Sequence, residues 1–379
     1  MSHPSSPSAH GQPTLRTVQV LGGGSAGSSS HVRSLTAGLV ARGVRVTVCA
    51  PMAAERMYGF EDAGAHHLPV PRRGDPASVA ALRVACTDAD LVHAHGLHAA
   101  LRASLALSGR HVPLVVTWHT RSYAEGSRTA RTHLLRMLER RVARAAAVVL
   151  GTSSDLVDRA RARGARDARL AAVSFPAPRE PLPEGEEAER TRNKTRAELG
   201  CVDRPLVMAV GSLERHRGHD VLLDAAHALL GLDPVPLLVI AGEGPERPAL
   251  QRRIEAEGLA VRLAGRRDDV AELLHAADVA VLASSWESRS PLAQEALHAR
   301  VPLVATDADG MPELVGDGAE LVPDGDAPAL ARAVQGLLAD PLRRDQLKER
   351  GAAQAASWPT EDATVAQVLS VYDELTGFH

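Results

Sequence analysis

Apolar and polar positions along the chain switch repeatedly between two periods. Short runs that are apolar at nearly every position read as strands buried on both faces: Thr17 to Leu21, Val44 to Val48, Leu91 to His95, Leu114 to Trp118 and Ala147 to Leu150. Between them apolar residues recur at helical spacing, as at Val32, Leu35, Leu39 and Val40. Repeated strand–helix alternation is stable as a parallel sheet with helices on both faces. The alternation stops at Phe175-Pro-Ala-Pro-Arg-Glu-Pro-Leu-Pro, where proline density suits neither helix nor sheet, and a charged stretch runs on to Glu198. It restarts with Leu206 to Val210, Leu237 to Ala241, Val261 to Leu263, Val279 to Leu282 and Leu303 to Thr306. The pattern predicts an α/β chain of two doubly wound domains, 14–178 and 199–358, joined by a linker at 179–198. In such sheets ligands sit beyond the carboxyl ends of the strands, so two facing sheets place a ligand in the cleft between them.

Composition narrows the functional classes. With 379 residues the chain has room for two domains, and 45% hydrophobic with 23% charged residues is ordinary for a globular protein. Aromatics are only 2%, so the core must be built from Ala, Val and Leu. Lys and Arg number 43 against 46 Asp and Glu, which leaves no basic excess to neutralise phosphates and argues against a dedicated nucleic-acid binder. The three cysteines, Cys49, Cys86 and Cys201, are far apart and fit neither a disulfide framework nor a zinc spacing, as expected of a reducing cytoplasm. Residues 1–13 are rich in Ser, Pro, His and Gly and read as a disordered tail without the features of a signal peptide. No apolar run approaches the roughly 20 residues that span a bilayer.

Candidate chemistry gathers where strands end. The loop Gly22-Gly-Gly-Ser-Ala-Gly27 joins the first strand to the first helix, where free N–H groups and the helix dipole attract anions. It matches G-x-G-x-x-G literally, yet no acidic residue ends the second strand to take a ribose. A phosphate-binding loop, a surface turn and a dinucleotide site all remain open on these residues. His93-Ala-His95 and Thr117-Trp-His119 end two further strands. His93 and His95 project to one side and could pair on a metal. No Cys or carboxylate neighbour completes a ligand set, so His93 reads as structural and His119 as functional. In the second half, Gly211-Ser-Leu-Glu-Arg-His-Arg217-Gly218 places positive charge before a helix, as suits a diphosphate, although an exposed loop would look the same. Ser290 is a good N-cap and Pro291 a good first helical residue, which puts Glu287 in a loop and Glu295 inside a helix. Asp88-Ala-Asp90 and Asp307-Ala-Asp309 imitate metal-binding tracts but read as loop composition. Residues 128–144 set Arg131, Arg136, Arg140, Arg141 and Arg144 around Leu134, Met137, Leu138 and Val142. Such a segment either packs on the sheet with a solvated basic face or lies on anionic lipid.

In their order these features resemble glycosyltransferase family 4, retaining enzymes of GT-B architecture, from about Val18 to Tyr372. Gly27 with Ser30-His31-Val32 resembles the family's first loop, and His93-Ala-His95 and Thr117-Trp-His119 its H-x-H and T-x-H strand ends. Gly211 to Gly218 is similar to G-R-L-x-x-x-K-G, and Gly242-Glu-Gly-Pro245 to G-x-G-P. Glu287 and Glu295 match Glu-x7-Glu, and Asp309-Gly-Met-Pro-Glu313 matches G-G-x-x-E.

The resemblance implies a nucleoside-diphosphate sugar as donor substrate, an unidentified acceptor on the first domain, no cofactor and no metal. It also implies that the last segment, 359–379, returns as a helix to the first domain. It assigns catalysis to His119, Glu287 and Arg217. Donor binding falls to Gly27, Gly211, Ser212, Arg215, Gly242, Arg266, Ser288, Arg289, Ser290, Pro291 and Glu295. Glu287 would hold sugar hydroxyls, Glu295 the ribose, and His119 the sugar or its acceptor.

The chain also departs from the family. Ser212 replaces an Arg, Arg217 a Lys, Ser288-Arg-Ser290 a G-F-G, and Arg300 a Gly, while an N-G-V-D tract is missing at 174–178. The family uses two cations at the phosphates, so either Arg289 or Arg215 supplies the second, or the chain is an impaired, regulatory nucleotide-sugar binder.

Overall fold

A computed structural model of the chain describes residues 14–22, 26–71, 77–123, 129–174, 185–287 and 289–377. The expected tail at 1–13, the segment 175–184 and Ser288 lie outside them.

The first domain is a seven-stranded, wholly parallel sheet: β1 (Arg16–Leu21), β2 (Arg45–Ala50), β3 (His66–Pro69), β4 (Leu91–His95), β5 (Leu114–Trp118), β6 (Val148–Gly151) and β7 (Ala168–Leu170). The strands lie in the order β3-β2-β1-β4-β5-β6-β7. The second domain repeats the plan with β8 (Leu206–Val210), β9 (Leu237–Ala241), β10 (Val261–Gly265), β11 (Val279–Leu282), β12 (Leu303–Thr306) and β13 (Glu320–Val322), ordered β10-β9-β8-β11-β12-β13. In each sheet the chain reverses its direction of travel beside the first strand, between β1 and β4 and between β8 and β11. Connections leave a crevice at such switch points. Gly22 and His95 flank one crevice, and the Gly211 loop and Trp286-Glu287 the other.

The inner strands are buried on both faces, as their near-continuous apolar runs require. On one face of the first sheet Leu21, Val48, Leu91 and Val115 pack with Val365, Val368, Val371 and Tyr372 of the last helix, Glu361–Thr376. That helix crosses from the end of the second domain and lies against the first helix, Ala26–Ala41. A Cβ on Gly38 would stand 2.3 Å from Val365 Cγ2, so the two helices approach as closely as they do only because Gly38 has no side chain. The Arg42–Asp362 and Arg169–Glu374 ion pairs, at 2.8 and 2.7 Å, hold its two ends.

The structure corrects the linker expected at 179–198, because Gly185–Glu198 is a helix that belongs to the second domain. Arg192 and Arg196 both reach Asp278, at 2.7 and 3.1 Å, and Asp278 also accepts the Leu206 N–H that opens β8. Charge had suggested a solvated connector. Glu186 and Glu187 instead sit in the first turn and Arg196 in the last, each complementing the helix dipole.

Candidate active site

The first-domain wall of the cleft is built from imidazoles. His95, ending β4, lies with Nδ1 3.3 Å from His119 Nε2 just beyond β5, and its ring stacks 4.4 Å from that of His93. His31 of the first helix closes the group, 5.3 Å from the His119 ring. His93 is fully buried and hydrogen-bonded at both nitrogens, to Tyr372 Oη (2.8 Å) and Thr117 Oγ1 (2.7 Å), so the structural reading of it is correct. Burial holds all four imidazoles below the ordinary histidine pKa, His31 at about 4 and His93 at about 3, so they are neutral near pH 7. His31, His95 and His119 offer one nitrogen each within 4.8 Å of one another. His93 is not in that group, so the His93–His95 pairing considered for a metal is not the one the fold brings together; His31, sixty-four residues before His95, takes its place beside His95 and His119.

The second-domain wall is charged. Glycines let its loops stack: a Cβ on Gly242 would fall 1.8 Å from Gly211 O, and one on Gly218 (φ 69°) 1.8 Å from Ala283 O. This packing brings Arg217 Nη1 to 2.6 Å from Glu287 Oε2 and stacks His216 on Trp286 at 5.0 Å and 12°. Two side chains assigned separately to phosphate and sugar are thus in contact with each other. Ser290 caps helix Pro291–His298, accepting from Ala293 N at 3.3 Å, with proline in the first turn as expected. Glu295 lies within that helix, and burial pushes its carboxyl up to about 7. Arg289 is held down to about 10 by burial, opposed by Glu313; it also helps lower the pKa of His31. Among the described residues its Nε has no hydrogen-bond partner, and Nη2 is 3.4 Å from Gln294 Oε1. Arg215 is exposed, as is Arg266, which stands within electrostatic reach of Tyr58 on the first domain. Ser212 lies in the same loop and its carbonyl accepts from His219 at 3.0 Å.

The two walls meet. A methyl group on Gly27 would lie 3.5 Å from Pro291 Cγ, so the starts of helices Ala26–Ala41 and Pro291–His298 face each other across the cleft. Ser154 N donates to Glu313 Oε2 at 2.8 Å, and Arg121 pairs with Asp309, whose side chain is wholly buried. Sequence reasoning missed this pair by reading Asp307-Ala-Asp309 as loop composition. A signal was present: Asp309 and Arg300 both stand where the resembled family has glycine. They are also the described non-glycine residues with positive φ, at 52° and 53°. Such a backbone strains a side chain; at Asp309 the side chain is buried in its pairing with Arg121, while at Arg300 it makes an exposed pair with Glu349.

Comparison with known proteins agrees with this fold. Residues 26–176 match the "Glycosyl transferase 4-like domain" and residues 191–354 "Glycosyl transferases group 1". The chain is 31% identical over 280 residues to the alpha-D-kanosaminyltransferase of Streptomyces kanamyceticus, covering 70% of this chain and 71% of that one. It is 28% identical to the phosphatidyl-myo-inositol mannosyltransferase of Mycobacterium leprae, over 92% of both. The Anabaena protein Alr3699/HepE, solved with UDP, superimposes with a TM-score of 0.78 over 96% of this chain and all of that one, at 19% identity. Two doubly wound domains, their matched order of motifs and these relatives lead to one assignment: the chain belongs to the family 4-type glycosyltransferases of GT-B fold.

Proposed function

We propose that the chain transfers a sugar, with retention and without a metal, from a nucleoside diphosphate to an acceptor held by the first domain. One observation carries this reading: two helix N-termini converge on the same gap, with Arg217 and Arg289 beside it. Aligned N–H groups and cations in a water-poor cleft stabilise the charge that grows on a departing diphosphate. The second cation is Arg289, because its guanidinium is buried at the domain junction whereas that of Arg215 is exposed. It offsets the loss of the family arginine at Ser212. Glu287 receives sugar hydroxyls, Glu295 the ribose, and His119 a hydroxyl of the sugar or acceptor. The acceptor attacks from the leaving-group side and gives its proton to a phosphate oxygen. The solved HepE complexes with UDP and UDP-glucose support a nucleotide-sugar donor.

A contact with a membrane surface is part of the same proposal. Helix Ala130–Ala145 buries Leu135 and Val142 but exposes Leu134 and Met137, among Arg131, Arg140, Arg141 and Arg144. No helix among the described residues is long and apolar enough to cross a membrane.

The test is a thermal-shift screen of nucleoside-diphosphate sugars followed by sugar-dependent nucleotide release, with and without chelator. Arg217→Ala and Arg289→Ala should each weaken the free nucleotide about ten- to a hundred-fold, the worth of about 1.5–3 kcal/mol for a charge-assisted contact. Arg215→Ala should not. Glu287→Ala should spare nucleotide binding and cut turnover. Donor binding without release, across many acceptors, would favour the regulatory reading that Ser212 motivates.

A further inference from the structure

Beneath the imidazole wall runs a continuous hydrogen-bonded chain that begins on the last helix and ends at His119. Gln19, in the middle of β1, is its hub: Nε2 is 2.9 Å from Tyr372 Oη, and Oε1 is 3.0 Å from His95 Nε2. His95 Nδ1 then meets His119 Nε2 at 3.3 Å. Gln19, His93 and Tyr372 are 0% exposed and His95 4%, so water cannot substitute for a missing partner.

Proton bookkeeping gives this chain a direction. An amide nitrogen only donates and an amide oxygen only accepts, whereas a neutral imidazole has one nitrogen of each kind. Because Gln19 Oε1 faces His95, the proton of His95 must sit on Nε2, leaving Nδ1 bare. A bare His95 Nδ1 requires His119 to hold its proton on Nε2. On the other side, the Tyr372 hydroxyl accepts from Gln19 and donates to His93 Nδ1, so His93 donates from Nε2 to Thr117 Oγ1. Reversing the Gln19 amide would reverse every link and put the His119 proton on Nδ1. The amide is the only member whose two ends are chemically fixed, so its orientation selects the polarity of the whole chain.

We propose that Gln19 is a positioning residue: through His95 it fixes His119 as the Nε2–H tautomer, with Nδ1 bare to accept a hydroxyl of the sugar or acceptor. This deepens the role proposed above for His119 and rests on it. Tyr372 on the returning helix orients Gln19, so the segment that ties the two domains together also sets the hydrogen-bonding character of the cleft.

The tautomer can be read directly by nitrogen-15 NMR of the full chain labelled at histidine, assigned with His119→Ala and without any substrate. The expected result is Nε2–H at His119. Gln19→Met, of similar volume and with neither amide group, should give a mixture of tautomers at His119 and lower kcat about tenfold or more, with donor KM little changed. An Nδ1–H tautomer in the unmodified chain, or a Gln19→Met protein that folds and keeps Nε2–H, would overturn the proposal. If Gln19→Met fails to fold, the tautomer of the unmodified chain decides alone. Turnover unaffected by His119→Ala would remove His119 from the site while leaving the tautomer result intact, so the two failures are distinguishable.

Discussion

The two walls of the cleft share one topology and have opposite electrostatics. Each is the carboxyl edge of a doubly wound parallel sheet at its switch point. The first-domain wall carries buried His31, His93 and His95 beside half-buried His119, all held below the ordinary histidine pKa by burial, with His93 and His95 hydrogen-bonded to Gln19, Thr117 and Tyr372. The second-domain wall carries Arg217, Glu287, Arg289 and Glu295 around a capped helix. Neutral imidazoles can only donate or accept hydrogen bonds, whereas cations beside a helix N-terminus attract anions. The fold therefore supplies the position of a site, and the residues at the strand ends decide the electrostatics of each wall.

Acidification should break this contrast with the largest effect. A histidine whose folded pKa lies below its unfolded value lets the unfolded chain take up protons first. Its contribution to stability is intact above about pH 6.5 and is lost as pH falls toward about 4. For His31 alone the loss is on the order of 3 kcal/mol. Denaturant titrations at pH 7, 6, 5 and 4.5 should show the first domain weakening steeply, and a flat profile would mean that the imidazoles are not held neutral. On the other wall the effect is smaller and concerns binding. Glu295 ionises near pH 7 in the free protein, and ribose hydroxyls donating to its carboxylate would lower that value. Binding then releases a proton, so nucleotide affinity should rise up to about tenfold between pH 6 and 7.5 by calorimetry, and Glu295→Gln should lose this dependence. The smallest effect is expected outside the cleft. Leu134→Glu with Met137→Glu should reduce sedimentation with anionic vesicles about severalfold and leave the melting temperature nearly unchanged, since both side chains are exposed. An unaltered sedimentation would detach helix Ala130–Ala145 from any lipid surface.

How far the sequence could be read follows from burial. Leu91–His95, Leu114–Trp118, Leu206–Val210, Leu237–Ala241, Val279–Leu282 and Leu303–Thr306 are inner strands whose bounds agree with their apolar runs, because both faces must be covered. His66–Pro69, Ala168–Leu170 and Glu320–Val322 escaped notice because they are three- or four-residue edge strands with half-polar faces. Helix Gly185–Glu198 escaped for another reason: it buries only Thr195, and its attachment is polar, through Asp278 and the carbonyls of His275, Ala276 and Ala277.

By itself the sequence determined the tandem doubly wound architecture and the order of motifs at the strand ends, since both follow from local periodicity and from glycines, caps and charges a few residues apart. Tertiary structure alone decided which distant side chains meet. It set His31 against His95 and His119, Gln19 against Tyr372, Arg217 against Glu287 and Arg121 against Asp309. Each of those pairings depends on strand order, on the return of the last helix or on the approach of the two domains. None of these leaves a periodic trace in the chain, because a hydrogen bond or ion pair between residues far apart constrains only the two positions that make it.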